Sequence, residues 1–361
     1  MITKAILTGG GHATRLRPIT TTINKHLIPL ANKPMIFHVI DKVVEIGVKE
    51  IFINTNPGET ELQKYVGDGG HWGIKIKYFE QTGGPQGIAH AVSLAREFIG
   101  DDPFIFYLSD NITLGSLQPL AEKFAKENLN CLLSFSKVDD PTRFGVGEFD
   151  ANGKLTRVLE KPQNPPSDLA QTGIYFYDKF FFEAYSHIQK SARGEYEISD
   201  INTWLIQNNY KVGWSEITGY WKDSGKPNDL LIANQMLLDR MDKEHFTNHA
   251  TVEKGARLEG NIKIGRGTRI GEKVLIRGPV IIGENCVLED CYVGPCTTIG
   301  QGTEICGAEI EHSIIFENAD INCSIRIVDS IIGKNASILT GHQAPPQGHK
   351  MVLGDHTFIE I

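Results

Sequence analysis

From about Thr251 onward an aliphatic residue returns every six positions, usually with a glycine behind it: Ile264-Gly, Ile270-Gly, Ile276-Arg and Ile282-Gly, then Leu288. After a one-residue slip the series resumes with Val293-Gly, Ile299-Gly and Ile305-Cys, and Ile332-Gly closes it. This is not a helical period. It fits a chain wound round a triangular prism, each face inserting one aliphatic side chain while the small residue turns the corner. The pattern predicts a left-handed parallel β-helix.

Residues 4 to about 240 follow a different pattern. Strand-like runs (Ile51 to Asn54, Ile74 to Phe79, Phe104 to Leu108, Leu132 to Phe135) alternate with stretches of helical spacing (Val39 to Val48, Ile88 to Phe98, Leu117 to Phe124). Such alternation predicts a parallel sheet covered by helices. After Phe144 come shorter β-rich pieces, Gly145 to Phe149, Leu155 to Leu159 and Gly173 to Tyr177, read as an inserted antiparallel region, and Leu230 to Met241 reads as a closing helix. The expected architecture is an α/β, Rossmann-like mixed sheet in residues 1–243 followed by the β-helix in residues 244–361. A length of 361 residues suits two domains.

The formal net charge of −8 argues against nucleic acid, whose binding needs a concentrated basic surface. No run of about 18 apolar residues suggests a membrane span, and no secretory signal pattern opens the chain. A cytoplasmic protein is expected. None of the six cysteines forms a C-x-x-C pair, so they read as small buried hydrophobes in a reducing compartment.

The run Lys4 to Leu7 leads into Thr-Gly-Gly-Gly, and Arg15 and Lys25 follow closely. Gly9, Gly10 and Gly11 can aim successive N–H groups at one anion, and the two cations add fixed positive charge where a polyphosphate would sit. The spacing matches neither the ATPase phosphate loop nor the dinucleotide fingerprint. A tight strand-to-helix connection is the plain alternative, and the paired cations weigh against it.

In an open parallel sheet, ligands bind beyond the carboxyl ends of the strands. Phe104-Ile-Phe-Tyr-Leu-Ser-Asp110-Asn111 ends a buried strand in a carboxylate, and Tyr220-Trp-Lys-Asp223 places another acid in a loop before a helix. Two Asp residues near a triphosphate suit Mg²⁺, although an Asp at either place can also cap a helix or close an Asx turn. Glu160 and Lys161 could serve vicinal hydroxyls and a phosphate, and Gln81 has the donor and acceptor needed at a pyrimidine edge.

Taken together these residues resemble the sugar nucleotidyltransferases, most closely the long form of the glucose-1-phosphate thymidylyltransferases. The resemblance rests on an ordered set: the Gly-rich loop with Thr14, Arg15 and Pro18; Lys25; Asn32-Lys-Pro-Met35; Gly87-Ile-Ala89; Asp110-Asn111; Phe144-Gly-Val146; Glu160-Lys-Pro162; Gly173-Ile-Tyr175; Gly194-Glu-Tyr-Glu-Ile-Ser-Asp200; and Trp221-Lys-Asp-Ser-Gly225. It continues through Ile276-Arg-Gly-Pro279 and Ile327-Val-Asp-Ser-Ile-Ile-Gly333 to Val352-Leu-Gly-Asp355.

The resemblance implies a Mg²⁺-dependent reaction between a nucleoside triphosphate and a sugar 1-phosphate, dTTP and glucose 1-phosphate favoured, giving an NDP-sugar and pyrophosphate. It implies Arg15 on the departing pyrophosphate, Lys25 between the attacking and α-phosphates, and Asp110 with Asp223 on the metal. It assigns the nucleotide to Gly10, Gly11, Thr14, Gln81 and Gly87, and the sugar to Asn111, Gly145, Glu160, Lys161 and Tyr175. A homo-oligomer assembled through the prism is expected.

The chain departs from the family pattern at several places. His12-Ala13 stands for a single Gly, the stretch Gln81 to Gly87 is one residue longer, Asn24 replaces Pro, Ser109 replaces Gly, and Gln171 replaces an apolar residue. The longer stretch leaves Gln81 and Gln86 as alternatives for reading the base. Two rival readings remain: a UTP-dependent uridylyltransferase also carrying acetyl transfer, for which His312 is the candidate base, and a non-catalytic sugar-nucleotide sensor.

Overall fold

The computed structural model describes residues 2–340 other than 12, 83, 85 and 218, together with 356–359. The tail motif Val352-Leu-Gly-Asp355, His12 and part of the 81–87 stretch lie outside the described residues. By compactness the chain divides into Met1–His12 with Met35–Asp223, and Ala13–Pro34 with Ser224–Ile361. The 22-residue stretch after the Gly-rich turn therefore belongs with the C-terminal unit, a grouping that a linear boundary at 243/244 does not contain.

The first unit is built on a nine-stranded mixed sheet. Its strands are β1 (Lys4–Thr8), β2 (Glu50–Thr55), β3 (Lys75–Glu80), β4 (Phe104–Tyr107), β6 (Cys131–Lys137), β7 (Gly145–Phe149), β8 (Leu155–Glu160), β9 (Leu169–Tyr177) and β10 (Val212–Glu216). A separate two-stranded ladder joins β5 (Asn111–Thr113) to β11 (Trp221–Asp223). The main order is β8-β7-β9-β4-β1-β2-β3, with β6 on β9 and β10 on β6. Strands β4, β1, β2 and β3 run parallel, whereas β9 pairs antiparallel with β4 and β6. The expected antiparallel insertion is the β7, β8 and β9 region.

Helices α1 (Met35–Glu45), α2 (Gln118–Lys126) and α3 (Ile198–Gln207) are amphipathic, with Val39, Ile40 and Val43 of α1 fully buried. The stretch expected as one helix from Ile88 to Phe98 is two short ones, Ile88–Ser93 and Arg96–Ile99. Phe104, Phe106, Tyr175, Tyr177 and Phe181 lie in the core, and burying such large rings stabilises the packing of the sheet against its helices.

In the second unit, α4 (Pro227–Arg240) precedes the prism. Three parallel sheets of six, five and five short strands make its faces. Ile270, Leu288, Ile305, Ile321 and Ile338 stack in one column, and Ile264, Ile282, Ile299, Ile315 and Ile332 in another. At the corner after the second column the backbones approach so closely that a Cβ on Gly265, Gly283 or Gly300 would lie 2.6, 2.5 and 2.5 Å from the next rung's backbone nitrogen. That contact, not a left-handed φ, is why glycine follows isoleucine there. All six cysteines are free; Cys131 in the sheet and Cys286, Cys291 and Cys323 in the prism are buried as the apolar reading expects, whereas Cys296 and Cys306 are only half-buried. Burial pushes the Cys291 thiol up to about 12. No helix among the described residues is long and apolar enough to cross a membrane.

Candidate active site

Strands β2 and β3 lie on one side of β1 and β4 on the other, so the chain reverses its direction of travel between the carboxyl ends of β1 and β4. A crevice forms at such a switch point. Thr8, closing β1, spans it: its Oγ1 accepts a hydrogen bond from Ser109 N–H, just past β4, at 2.8 Å. Gly9–Gly11 follow on one wall and Asp110 on the other.

The three glycine amides do not all converge on one point. Gly9 N–H donates to Asn54 Oδ1 (3.2 Å) and Gly11 N–H to Asn56 Oδ1 (2.9 Å). Asn54 in turn donates from Nδ2 to Gln81 Oε1 (3.2 Å), joining the glycine turn to the end of β3. This engages the acceptor half of the expected donor and acceptor pair. Gln86, the other candidate, has its Nε2 3.4 Å from His90 Nε2. His90 meets the Tyr185 hydroxyl at 2.9 Å, and burial, then Lys190, lowers its pKa. Gly87 is pressed against the loop that leads into α3, where a Cβ would lie 2.5 Å from Tyr196 O.

The two acids are near neighbours in register across the small ladder. Asp223 is the register partner of Asn111, the residue after Asp110, and such partners have Cα atoms about 4.5–5.5 Å apart. Asn111 Nδ2 donates to Asp110 Oδ1 (2.8 Å), and Asn111 Oδ1 accepts from Trp221 Nε1 (2.9 Å), which also donates to Thr172 O (2.8 Å). Trp221 shares β11 with Asp223, so this chain of hydrogen bonds ties the strand that carries Asp223 to Asp110 and Asn111. Asn111, assigned to a sugar by resemblance, is 3 % exposed with both amide ends engaged. Two hard carboxylates are the number and kind of donor that a magnesium ion takes when water and phosphate fill its remaining positions. No cluster of three or more His, Cys, Asp or Glu able to cage a metal occurs among the described residues.

A second group of expected residues lies on β7, β8 and β9. Gly145 faces Glu160 across the β7/β8 ladder. Glu160 Oε2 accepts from Ser199 Oγ (2.8 Å), while Arg193 and Lys161 lie 3.4 and 3.2 Å from Oε1. Lys161 thus turns back on its neighbour, a half-exposed pairing of small worth that a phosphate can displace. A Cβ on Gly145 would come within 2.5 Å of Gln171 Oε1 and 2.9 Å of Ser199 Oγ. Gln171 is 5 % exposed and its Nε2 is buried without a hydrogen-bond partner. Tyr175 is a core residue, its ring stacked on Phe106 at 5.7 Å. Burial first, then the Glu160 charge, pushes its phenol above the ordinary range, so it remains protonated.

Thr14, Arg15 and Lys25 lie in the second unit. Ala13, at φ 42°, starts a 3₁₀ turn over Thr14–Leu16 that leaves Thr14 and Arg15 exposed and buries Leu16. Lys25 opens another, Lys25–Leu27, whose cap Asn24 accepts on Oδ1 from His26 N–H (2.8 Å). Asn24 thereby supplies a side-chain cap that the family's proline lacks.

The sequence profile of the nucleotidyl transferase family matches residues 4–240, about two thirds of the chain. The chain belongs to the nucleotidyl transferase family. Whole-length relatives extend the likeness through the prism. The low-salt glycan biosynthesis nucleotidyltransferase Agl11 of Haloferax volcanii is 37% identical over 360 residues, covering 99% of this chain and all (100%) of the relative. A glucose-1-phosphate thymidylyltransferase of Streptomyces antibioticus is 37% identical over 359 residues, covering 99% of each. A crystal structure from Bacillus anthracis, assigned as a glucose-1-phosphate thymidylyltransferase and holding sucrose, superposes with a TM-score of 0.62 at 35% identity, covering 66% of this chain and 96% of that one.

Several polar residues of this nucleotidyl transferase escaped the sequence reading. Asn54 and Asn56 end a buried strand as Asp110 does, so the same rule finds them. Arg193 had no such signal, because only the fold brings it to Glu160, whereas Ser199 stands within the Gly194 to Asp200 motif, which gave it no role. His312 is no open base: Nδ1 is bonded to Asp329, and Nε2 is buried without a hydrogen-bond partner.

Proposed function

We propose that this nucleotidyl transferase transfers the thymidylyl group of dTTP to glucose 1-phosphate. A phosphate oxygen of the sugar phosphate forms a bond to the α-phosphorus, the bond from that phosphorus to the bridging oxygen breaks, and pyrophosphate leaves with its electron pair. The observation that carries the reading is the pairing of Asp223 with Asn111, beside Asp110, at the switch crevice.

Asp110 and Asp223 would hold Mg²⁺, which when bound supplies neutralisation of triphosphate charge. Arg15 holds the departing pyrophosphate, and Lys25 lies between the attacking and α-phosphates. Gly10, Gly11 and Thr14 seat the phosphates, Gly87 lines the nucleotide site, and Gln81 donates from Nε2 to the base. Glu160 accepts from sugar hydroxyls once Arg193 and Lys161 are displaced, with Gly145 leaving room and Tyr175 backing the pocket. Reactions of this type need alignment and charge neutralisation more than a protein nucleophile, and these residues provide both.

The Streptomyces relative, similar over its whole length, supports dTTP over UTP. A 5-methyl group is worth only about 1–3 kcal/mol in a fitted pocket, so the preference is one of degree. Dependence on a nucleoside triphosphate suits the cytoplasm, and assembly into a homo-oligomer is assigned to the prism. The deciding experiment crosses four nucleoside triphosphates with several sugar 1-phosphates at saturating Mg²⁺, scored by pyrophosphate release. Fastest release with dTTP and glucose 1-phosphate is expected. Fastest release with UTP moves the assignment to a uridylyltransferase, and tight binding with no release with any pair makes the protein a sensor.

A further inference from the structure

Lys25 is joined by a short buried run to a hairpin that is tied to the prism. His26, Leu27, Ile28 and Leu30 are all under 5 % exposed. The hairpin pairs Pro29–Leu30 with Lys33–Pro34 through Ala31 and Asn32, whose φ values of 49° and 57° suit a tight two-residue connection. Both central residues are tied down. Asn32 Nδ2 donates to Ile299 O at 2.6 Å, and Ala31 N–H donates to Asn234 Oδ1 at 2.8 Å.

Asn234, on α4 and 1 % exposed, connects these parts. Besides Ala31 N–H, its Oδ1 accepts from Thr298 Oγ1 (3.3 Å), and its Nδ2 donates to Cys296 O (3.3 Å). One amide therefore joins the hairpin, the closing helix and two prism residues, using both donor and acceptor. Ala31, Leu238 and Ile281 bury an apolar contact from the same three parts. Aspartate could not donate to the Cys296 carbonyl, and an apolar residue would leave the Ala31 N–H and the Cys296 carbonyl without this partner.

We infer that Asn234 is a positioning residue for Lys25, through which the prism fixes where that ammonium stands during nucleotidyl transfer. The inference rests on the role given to Lys25 under Proposed function. The physical reason is that phosphoryl-type transfer is sensitive to placement: a displacement of about 1 Å can lower the rate by about 10²-fold. A shift of Ala31 has only the closely packed run from His26 to Leu30 to pass through before it reaches Lys25.

The test is a cycle of the full-length protein, Asn234→Ala, Lys25→Ala and the double variant. Each is assayed for kcat and for KM of dTTP and glucose 1-phosphate, with melting temperature recorded alongside. Asn234→Ala is expected to lower kcat by about 10-fold or more while both KM values stay within about 3-fold, as for a lost alignment. In the Lys25→Ala background the same change is expected to alter kcat by less than about 2-fold, because the group it positions has gone. An equal kcat loss in both backgrounds, or no loss in either, overturns the inference. If Lys25→Ala alone leaves turnover intact, the role of Lys25 falls instead, and that result shows in its own corner of the cycle. Asn234→Asp, which keeps the volume, and Thr298→Val, which removes one donor to Oδ1, carry the same cycle with the same criteria where the alanine variant does not fold.

Discussion

Replacing Asp223 by Asn preserves the side chain's size and its register with Asn111 while removing a full negative charge. Turnover is expected to fall by about 10²-fold or more, as for loss of one group that organises transition-state charge. The Mg²⁺ concentration for half-maximal pyrophosphate release should rise in the same variant, and an unchanged Mg²⁺ dependence removes Asp223 from the metal. Gln171 makes a different case at the same scale. Ser199 has one hydroxyl hydrogen, and Glu160 Oε2 takes it at 2.8 Å, with Gln171 Oε1 3.5 Å away. The amide is therefore poorly satisfied and well buried. Gln171→Met keeps most of its volume and should raise stability by about 1 kcal/mol, seen as a higher urea midpoint, because it removes an unpaired donor. If the sugar uses that amide, as the neighbouring Glu160 suggests, KM for glucose 1-phosphate should rise while KM for dTTP holds. Asp110 and Asp223 could be read from sequence since each follows a strand-like or motif-bearing run, but their register could not, because it depends on a ladder closing over more than a hundred residues of chain.

At the scale of elements, α3 presents Asp200 toward Glu160. Burial first, and then the Glu160 charge, raises the Asp200 carboxyl above its ordinary value. A carboxyl raised in the folded state binds more protons there than in the unfolded chain, so its contribution to stability declines as pH rises from the ordinary Asp range through the folded pKa. Asp200→Asn lacks that decline. Its stability advantage over the natural chain should be near its minimum at pH 3 and larger at pH 7, measured by denaturant midpoints. An advantage that does not change with pH would mean that the shift comes from elsewhere. In the prism, Gly283→Ala would place a methyl 2.5 Å from Gln301 N, against backbone that cannot swing aside. A loss of about 1–3 kcal/mol or more is expected from such overpacking, read by the melting temperature. The repeat itself was legible in sequence only in part. The early rungs keep a six-residue step, whereas Ile305, Ile310 and Ile315 follow one another at five and still take inward positions. The two shortened corners shift the phase of the repeat without breaking the stacking, which is why Ile310 and Ile315, and Ile321 and Ile327 that follow at six again, stayed out of the sequence pattern.

For the whole molecule, the prism's relation to catalysis turns on where the chain divides. The Bacillus structure is nearly spanned by two thirds of this chain, so a protein of this family can exist with little beyond the shared part. Every expected site residue here also lies before position 243. A chain ending there nevertheless loses the Cys296 and Ile299 carbonyls, the Thr298 hydroxyl and Ile281, which hold Asn234, Asn32 and the Ala31 hairpin turn. It keeps the nine-stranded sheet and its core, whose residues all lie within Met1–Asp223. The expected outcome is a folded sheet unit, seen by far-UV circular dichroism and a cooperative melt, whose turnover is lower than that of the full chain by about 10-fold or more, the scale of a misplaced group. Retention of full kcat by that cut chain would mean that the hairpin holds Lys25 without the prism. The same pair of proteins tests assembly by light scattering. An oligomeric mass for the full chain that drops to one chain on truncation assigns association to the prism, and a monomeric full chain, or an oligomer that survives the cut, rules it out.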